Sequence, residues 1–381
     1  MTAAFATTYA QARQDFRAAA TGRGAVQRTY PLPGGTGPDG GTLSVDTAYL
    51  GPPRPRRMLV AVCGTHGIEG FTGSACQTRI LLGTDGGDGD GGGDSGGGDS
   101  EEFATAADRG LGILLVHALN PYGFAYWRRV NEDNVDLNRN FVDHAAPPHN
   151  DAYDRVHAAL LDDSGAGPAS PDFAARLHRL AGELGLRAFQ EAVTHGQYRH
   201  HDGLFYGGRQ PTRSHRILRA IVAEQIAGTP RVGYIDLHTG LGERGAGEAI
   251  FRGGRDPGAP DRARAWYGPG VTDSDAGSSS STAIVGNTAT AVADGLTAGE
   301  QLTAITLEFG TLPGAEVLLA LCADNGLHLR LDPVAAFGSP DKQLIRAAFS
   351  PDGDELWRKQ VLHRAREVFS QAVAGLAAVD A

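Results

Sequence analysis

The strongest constraint on the fold of this chain is an apolar run, MLVAVC (58–63), that stops at the polar segment GTHGIEG (64–70). A short apolar run followed at once by glycines and polar residues predicts a buried strand that delivers His66 and Glu69 to its C-terminal end. Open α/β sheets place their ligands at that edge, which makes both side chains candidate functional groups. A His and a Glu three residues apart occur often by chance, so this pair alone does not define a site.

Apolar runs and helical patterns alternate along the rest of the chain. Further strands are predicted at 112–119, 231–238, 281–286 and 302–309. Helices are predicted at 70–82, 151–162, 172–193, 212–227, 314–325 and 354–378, with an amphipathic helix near the N-terminus. The alternation predicts an α/β fold, a single domain with a mixed, mostly parallel central sheet flanked by helices.

Residues 83–102 consist mainly of Gly, Asp and Ser. Such a tract has little apolar surface to bury and loses much backbone entropy on ordering, so it is predicted to be a disordered insertion in one domain of residues 1–381. A calcium-binding repeat is the alternative, but the regular apolar position of such repeats is missing. The tract contains five Asp and two Glu without Lys or Arg, and it accounts for most of the formal net charge of −10.

Charge and cysteine content exclude several classes of protein. No basic stripe stands out, so nucleic acid is not an expected partner. Cys63, Cys76 and Cys322 are too scattered for a disulfide framework or a Cys-x-x-Cys metal clip, which fits a reducing compartment. The first residues lack a signal-peptide pattern, and no apolar run reaches the ~18 residues that a membrane span needs. We therefore expect a soluble, cytoplasmic protein with no membrane partner, and the sequence indicates no particular oligomeric state.

Polar residues also end two later strands. His238 lies in DLHTG (236–240), and Glu308 lies near the end of the run LTAITLEF (302–309). Two imidazoles and one carboxylate, here His66, Glu69 and His238, form the ligand set of many catalytic zinc sites, which keep one position open for water. Alternatively, His238 is a core histidine held by a nearby aspartate, and Glu308 is a buried carboxylate paired with an arginine.

A second polar cluster, NPYGFAYWRRVNEDNVDLNRNF (120–141), is rich in turn residues. Its candidate functional groups are the guanidinium groups of Arg128, Arg129 and Arg139 and the amide of Asn138. Guanidinium forks beside an amide suit the capture of a carboxylate and the stabilisation of an oxyanion near a metal. The alternative is a surface loop in which the arginines pair with Asp133 and Asp136.

In their order along the chain, these motifs resemble those of the M14 zinc carboxypeptidase superfamily, and in particular its DUF2817 branch. The resemblance rests on GTHGIEG, on NPYGF with RVN and VDLNRNF, on DLHTG and on TLEFGT (306–311). It covers most of the chain outside the Gly/Asp tract and implies a zinc carboxypeptidase-like fold. It also implies that His66, Glu69 and His238 bind one Zn²⁺ per chain, and that Glu308 is the general base and then the proton donor to the leaving amine.

The resemblance further implies roles for the second cluster. Arg129 corresponds to the arginine that polarises the scissile carbonyl, seven residues before the aspartate of DLNR, and Arg128 is the alternative. Asn138 and Arg139 match the pair that holds the free carboxylate of the substrate.

The chain departs from the peptidases of the superfamily in one respect. Many of them carry a tyrosine roughly twenty residues before the catalytic glutamate, whereas residues 276–290 contain none. Tyr206 in GLFYGG is a candidate only for lining the pocket. We expect a zinc-dependent hydrolase that cleaves an amide bond beside a free carboxylate in a small peptide. The alternative is an N-acyl amino acid deacylase, similar to succinylglutamate desuccinylase and aspartoacylase. A catalytically silent binding protein is disfavoured, because every implied metal ligand and the base are present.

Overall fold

Eight strands form one sheet in the computed structural model, which describes residues 5–83, 106, 110–161, 170–253 and 256–378. In chain order the strands are β1 (Val26–Thr36), β2 (Thr42–Leu50), β3 (Arg57–Cys63), β4 (Leu111–His117), β5 (Arg231–Arg244), β6 (Gly247–Phe251), β7 (Thr272–Asp273) and β8 (Gln301–Gly310). Their order in the sheet is β1-β2-β4-β3-β5-β8-β6-β7. The central pairs β4–β3, β3–β5 and β5–β8 are parallel, and the pairs β1–β2, β2–β4 and β6–β8 are antiparallel. The predicted α/β fold with a mixed, mostly parallel sheet is confirmed.

Helices cover both faces of this sheet. They are α1 (Tyr9–Gly22), α2 (Gly70–Leu82), α3 (Pro121–Ala125), α4 (Asp151–Leu160), α5 (Pro171–Leu184), α6 (Leu186–Thr194), α7 (Arg213–Ile221), α8 (Ala259–Tyr267), α9 (Thr288–Gly295), α10 (Gly314–Arg330), α11 (Pro333–Phe337), α12 (Lys342–Phe349) and α13 (Glu355–Ala377). Leu59 and Ala61 of β3 lie in a core cluster with α1, α2, α8 and α13, whereas Val60 and Val62 lie in one with α7 and α9. Burial on both faces explains why the strand reads as an unbroken apolar run.

Several features of the fold were not predicted correctly from the sequence, among them the short strand β6. The hairpin of β1 and β2 was missed because β1 contains Pro31 and Pro33, which argue against a strand; β1 is at the edge of the sheet, where a missing N–H is tolerated. The strand predicted at 281–286 is wrong. Its carbonyl groups accept hydrogen bonds from loop groups instead, with Ala283 bonded to His195 and Gly286 to the N–H of Phe141.

Other predicted elements match or need small changes. The helix predicted at 172–193 is two helices, α5 and α6, because Gly185 between them adopts a φ of 83°. The predicted disordered insertion at 83–102 lies outside the described residues, except for Gly83, which follows α2. The three cysteines are buried free thiols. Among the helices of the described ranges, none is both long and apolar enough to cross a membrane.

Candidate metal centre

The C-terminal ends of three parallel strands bring the candidate metal ligands together. His66 and Glu69 follow β3, while His238 lies on β5 directly beside Glu308 of β8 in the strand register. Because side chains at paired positions of adjacent strands point to the same face, His238 and Glu308 project together. Residues that are far apart in sequence therefore meet at one edge of the sheet.

Glycines allow the loop after β3 to approach its neighbours closely. Gly64 has a φ of 67°, and a Cβ there would lie 3.2 Å from the Cα of Ala118. A Cβ on Gly67 would lie 2.0 Å from the carbonyl carbon of Gly123. Any side chain at Gly67 would push α3 away from the loop that carries His66, which explains the glycines on either side of the Thr-His pair.

Three buried side chains place four potential ligand atoms within a small space. His66 Nδ1 lies 3.1 Å from His238 Nδ1. Glu69 spans both rings, with Oε1 2.9 Å from His66 Nδ1 and Oε2 2.9 Å from His238 Nδ1. If each imidazole donated a proton to Glu69, the two protons would crowd one another. Spacings near 3 Å instead suit ligands of a single tetrahedral ion with bonds of about 2.0–2.1 Å.

The outer nitrogens of both histidines face aspartates. His66 Nε2 lies 3.1 Å from Asp136 Oδ1. His238 Nε2 lies 2.9 Å from Asp236 Oδ2, at ion-pair distance although not aligned for a hydrogen bond. Two threonine hydroxyls donate to Asp236, at 2.8 and 2.7 Å. Carboxylates at these positions orient the rings with Nδ1 toward the centre, as outer partners of metal-binding histidines commonly do.

The charges around the two rings favour a cation. Burial alone would raise the pKa of Glu69, but the adjoining His66 and His238 lower it. Burial alone would lower the pKa of His238, but the carboxylates of Asp236 and Glu69 raise it to about 10. Burial would also raise the pKa of Asp136, yet neighbouring guanidinium groups and the His66 imidazole hold it well below its ordinary value. Carboxylates that stay charged beside two imidazoles fit a divalent cation, which would displace the imidazole proton.

Glu308 differs from these carboxylates because it forms no ion pair with any described residue. The side chain is buried, and Oε1 accepts a hydrogen bond of 3.1 Å from the N–H of Leu241. Burial raises the pKa of Glu308 to about 7, with a further contribution from the charge of Glu69. A carboxylate that titrates near neutral pH suits a general base.

Two guanidinium groups lie at the site. Arg129 pairs with Glu69 Oε1 at 3.2 Å and with Asp136 Oδ2 at 3.0 Å. The pairing of Arg129 with Asp136 matches the alternative from the sequence, but it is buried and not at the surface, since Asp136 has no exposed area. Arg139 is buried and donates to the carbonyls of Thr194 and Asn138; burial lowers the pKa of Arg139 to about 10.

Two of the residues predicted to bind substrate lie elsewhere. Arg128 points away from the metal ligands and bonds to Asp324 at 3.3 Å and Asn134 at 2.9 Å. The carbonyl of Tyr206 accepts a hydrogen bond of 2.8 Å from the N–H of Asp136, and its ring does not line the pocket over the site. The structure thus separates the adjacent arginines and gives Tyr206 a supporting position.

A pocket of about 820 Å³ opens over these groups. Six of the predicted site residues line it: His66, Arg129, Asn138, Arg139, His238 and Glu308. One wall is apolar and comes from α5, α6 and α10, with Leu177, Phe189 and Leu321 among its side chains. Another part of the lining, the polar wall, includes Arg252. Arg252 was not a candidate from the sequence, because the short strand before it was not predicted.

A second group of described residues could also hold a metal: His157, His200 and Asp202. These side chains are only partly buried, and the two imidazole rings stack with centroids 3.8 Å apart. Each outer nitrogen already has a carboxylate partner, at 3.0 Å for His157 and 2.7 Å for His200. This group does not line the pocket.

Comparison with protein families settles the relationship of the chain. The model described as "Protein of unknown function (DUF2817)" matches residues 5–364. The chain belongs to the DUF2817 family. The DUF2817 resemblance expected from the motifs is thereby confirmed. No curated protein matches this DUF2817 chain.

Several solved structures are similar to this DUF2817 protein at low sequence identity. Thrombin-activatable fibrinolysis inhibitor is 11% identical, with 96% of this chain and 74% of that chain covered and a TM-score of 0.47. Carboxypeptidase A from Helicoverpa armigera is 13% identical, with 96% and 75% covered and a TM-score of 0.39. A metallo-carboxypeptidase from Burkholderia cenocepacia is 13% identical, with 88% and 67% covered and a TM-score of 0.32.

Proposed function

We propose that this DUF2817 protein is a zinc-dependent hydrolase of the M14 metallocarboxypeptidase type, which cleaves an amide bond beside a free carboxylate in small peptides. One observation carries the proposal: His66, Glu69 and His238 converge beside Glu308, and all of these except Glu69 line one pocket. Two imidazoles, one carboxylate and an adjacent base are the minimum set for metal-assisted hydrolysis.

The residues divide the chemistry between them. A bound zinc ion supplies Lewis acidity and a water nucleophile that is active near neutral pH. Glu308 takes a proton from the attacking water and passes it to the nitrogen of the leaving amine, so that its pKa of about 7 suits both steps. Arg129 lies on the pocket wall beside the metal ligands, where its guanidinium donates to the oxygen of the scissile carbonyl as negative charge develops.

Arg139 and Asn138 hold the carboxylate end of the substrate. Three N–H groups of Arg139 bond to backbone carbonyls, which fixes the guanidinium on the pocket wall. A guanidinium has five N–H donors, so two remain for a ligand. Asn138 uses its Oδ1 to accept the N–H of Thr288 and lines the same pocket. The pair forms a donor array for a carboxylate.

A second candidate function is the hydrolysis of N-acyl amino acids. The apolar wall from α5, α6 and α10 favours it, because an acyl chain would bury its surface there. Both candidates use the same metal ligands, the same base and the same carboxylate site. They differ in whether the acyl side of the cleaved bond is an amino acid or a simple acid.

One experiment separates these candidates. Zinc-loaded protein is incubated with a mixture of dipeptides, tripeptides and N-acyl amino acids, and the products are identified by mass spectrometry. Release of C-terminal amino acids supports the peptidase, and release from N-acyl amino acids alone supports the deacylase. If neither class is cleaved, the protein is not a hydrolase of this type. The Glu308→Gln variant controls for contaminating peptidases.

Replacement of Arg139 tests recognition of the carboxylate. Arg139→Ala removes a charge-assisted hydrogen-bonding fork that acts in both the ground and the transition state, so KM should rise roughly 10- to 100-fold. Steady-state kinetics on peptides with free and with amidated C-termini provide the measurement. Amidated peptides should be poor substrates of the wild type and little affected further by the change. Equal losses on both kinds of peptide would show that Arg139 does not read the carboxylate.

A further inference from the structure

A third guanidinium group, that of Arg252, lines the pocket beside Arg129 and Arg139. It donates to Thr306 Oγ1 at 3.1 Å, to Ser274 Oγ at 2.8 Å and to Ser281 Oγ at 3.2 Å. Thr306 precedes Glu308 by two residues on β8, so both side chains project from the same face of that strand. Arg252 is therefore anchored on the side of β8 that also carries Glu308, the proposed general base.

All three partners of Arg252 are neutral hydroxyl groups. No carboxylate of the described residues forms an ion pair with it, in contrast to Arg129, which pairs with two carboxylates. Burial lowers the pKa of Arg252, and the charges of Glu308, Asp275, Asp236 and Glu248 act in the opposite direction. The Arg252 side chain is partly buried, and a carboxylate brought by a ligand would supply the ion pair that it lacks. Two of its five N–H donors remain for such a ligand.

Arg252 and Arg139 lie on either side of one short coil segment. Arg139 donates to the carbonyl of Thr194, whose hydroxyl lies 2.6 Å from the hydroxyl of Thr282. The neighbouring residue, Ser281, accepts from Arg252. The positive charge of Arg252 contributes to lowering the pKa of Arg139, as expected for like charges within electrostatic range. The wall thus presents two cations, of which Arg139 alone suffices for one carboxylate.

We propose that Arg252 binds the side-chain carboxylate of the amino acid released by cleavage, so that the preferred substrates end in a dicarboxylic residue such as aspartate or glutamate. This inference rests on the proposed function, in which Arg139 holds the terminal carboxylate. Two guanidinium groups at separate positions fit the two carboxylates of one such residue, and each offers paired N–H donors. A substrate with a neutral side chain would leave Arg252 without an ion pair.

Matched substrates test the proposal. The ratio of kcat/KM is measured for Ala-Glu over Ala-Gln, and for N-acetylglutamate over N-acetylglutamine. In the wild type this ratio should be on the order of 10- to 100-fold, and in Arg252→Gln it should fall to near one. Arg213→Gln is the matched control, since Arg213 is partly exposed, pairs with Glu132 at 3.5 Å and lies outside the pocket. This control should keep the wild-type ratio.

A binding measurement provides a readout that does not depend on turnover. Calorimetry with free glutamate and free glutamine should show tighter binding of glutamate by the wild type, and Arg252→Lys should retain part of the preference because it keeps the charge. If Arg252→Gln does not fold, the preference of the wild type and of Arg252→Lys for glutamate over glutamine still tests the inference. A wild type that binds or cleaves the neutral partners equally well would overturn the inference and leave the proposed hydrolase intact. Cleavage of none of the substrates, together with preferred binding of glutamate, would support the acidic site and refute the hydrolase.

Discussion

Glu308→Gln should lower kcat by roughly 10²- to 10⁴-fold while zinc stays bound. The amide keeps the shape of the side chain and can still accept the hydrogen bond from Leu241, but it cannot take a proton from water. Metal content should not change, because Glu308 is not one of the three residues proposed as ligands. Kinetics on a cleaved peptide, with metal analysis of the same preparation, provide the measurement.

A neighbouring carboxylate supplies the control for this change. Glu248 of β6 pairs with Glu308 of β8 in the strand register, yet it bonds to Thr272 and Ser280 and does not line the pocket. Glu248→Gln should therefore leave kcat close to that of the wild type. Turnover by Glu308→Gln at a similar level to this control would rule out Glu308 as the base.

The three proposed metal ligands could be picked out from the sequence because each follows or lies on a strongly apolar strand. Parallel strands that end at one edge of a sheet bring His66, His238 and Glu308 together whatever their separation along the chain. The apolar runs define these strands well, since they are buried on both faces. The distances between the side chains follow from the register, in which His238 is opposite Glu308.

The arginines were harder to place. Arg128 and Arg129 are adjacent, and the sequence alone does not distinguish them on chemical grounds. In the structure Arg129 contacts Glu69, whereas Arg128 contacts Asp324 of α10, a helix that begins nearly 190 residues later in the chain. Tertiary contacts of this range decide which guanidinium faces the pocket, and no local pattern encodes them.

Asp136 shows how a residue can be recognised in a motif and still be underestimated. The sequence suggested only that it could pair with an arginine at the surface. In the structure its Oδ1 faces His66 Nε2 and accepts the N–H of Asn138, and its Oδ2 accepts Arg129 Nε. One carboxylate thus orients a candidate metal ligand and a guanidinium that lines the pocket.

Strand propensity was misleading in two segments, one predicted as a strand and one missed. Residues 281–286 read as a strand but form coil, and β6, with only five residues, was missed along with Arg252 beyond it. Residues of the first segment line the pocket together with Arg252, and there Ser281 and Thr282 bond to side chains and not to a strand. The strand propensity of a segment is overridden where its tertiary contacts at a binding site fix a different backbone conformation.

His66→Ala and His238→Ala should each lower the affinity for zinc by more than about 10²-fold and abolish activity. Removing one of three protein ligands costs more than the ~10- to 100-fold typical of changes to their outer partners. The wild type should contain one zinc per chain. Metal analysis after dialysis against a weak chelator compares the three proteins, and thermal melts with and without zinc show whether the variants still fold.

The second histidine cluster makes this test specific. His157 lies with His200 and Asp202 in the other group of described residues that could hold a metal. His157→Ala removes a histidine of comparable size from that group, and it should leave both the zinc content and the zinc-dependent rise in melting temperature unchanged. Four carboxylates surround the proposed site, those of Glu69, Asp136, Asp236 and Glu308. A bound cation would offset the repulsion between them. Loss of the ion from this site should therefore also lower the melting temperature. Zinc that is lost with His157→Ala and retained with His238→Ala would move the metal to the second cluster and remove the basis of the proposed hydrolase.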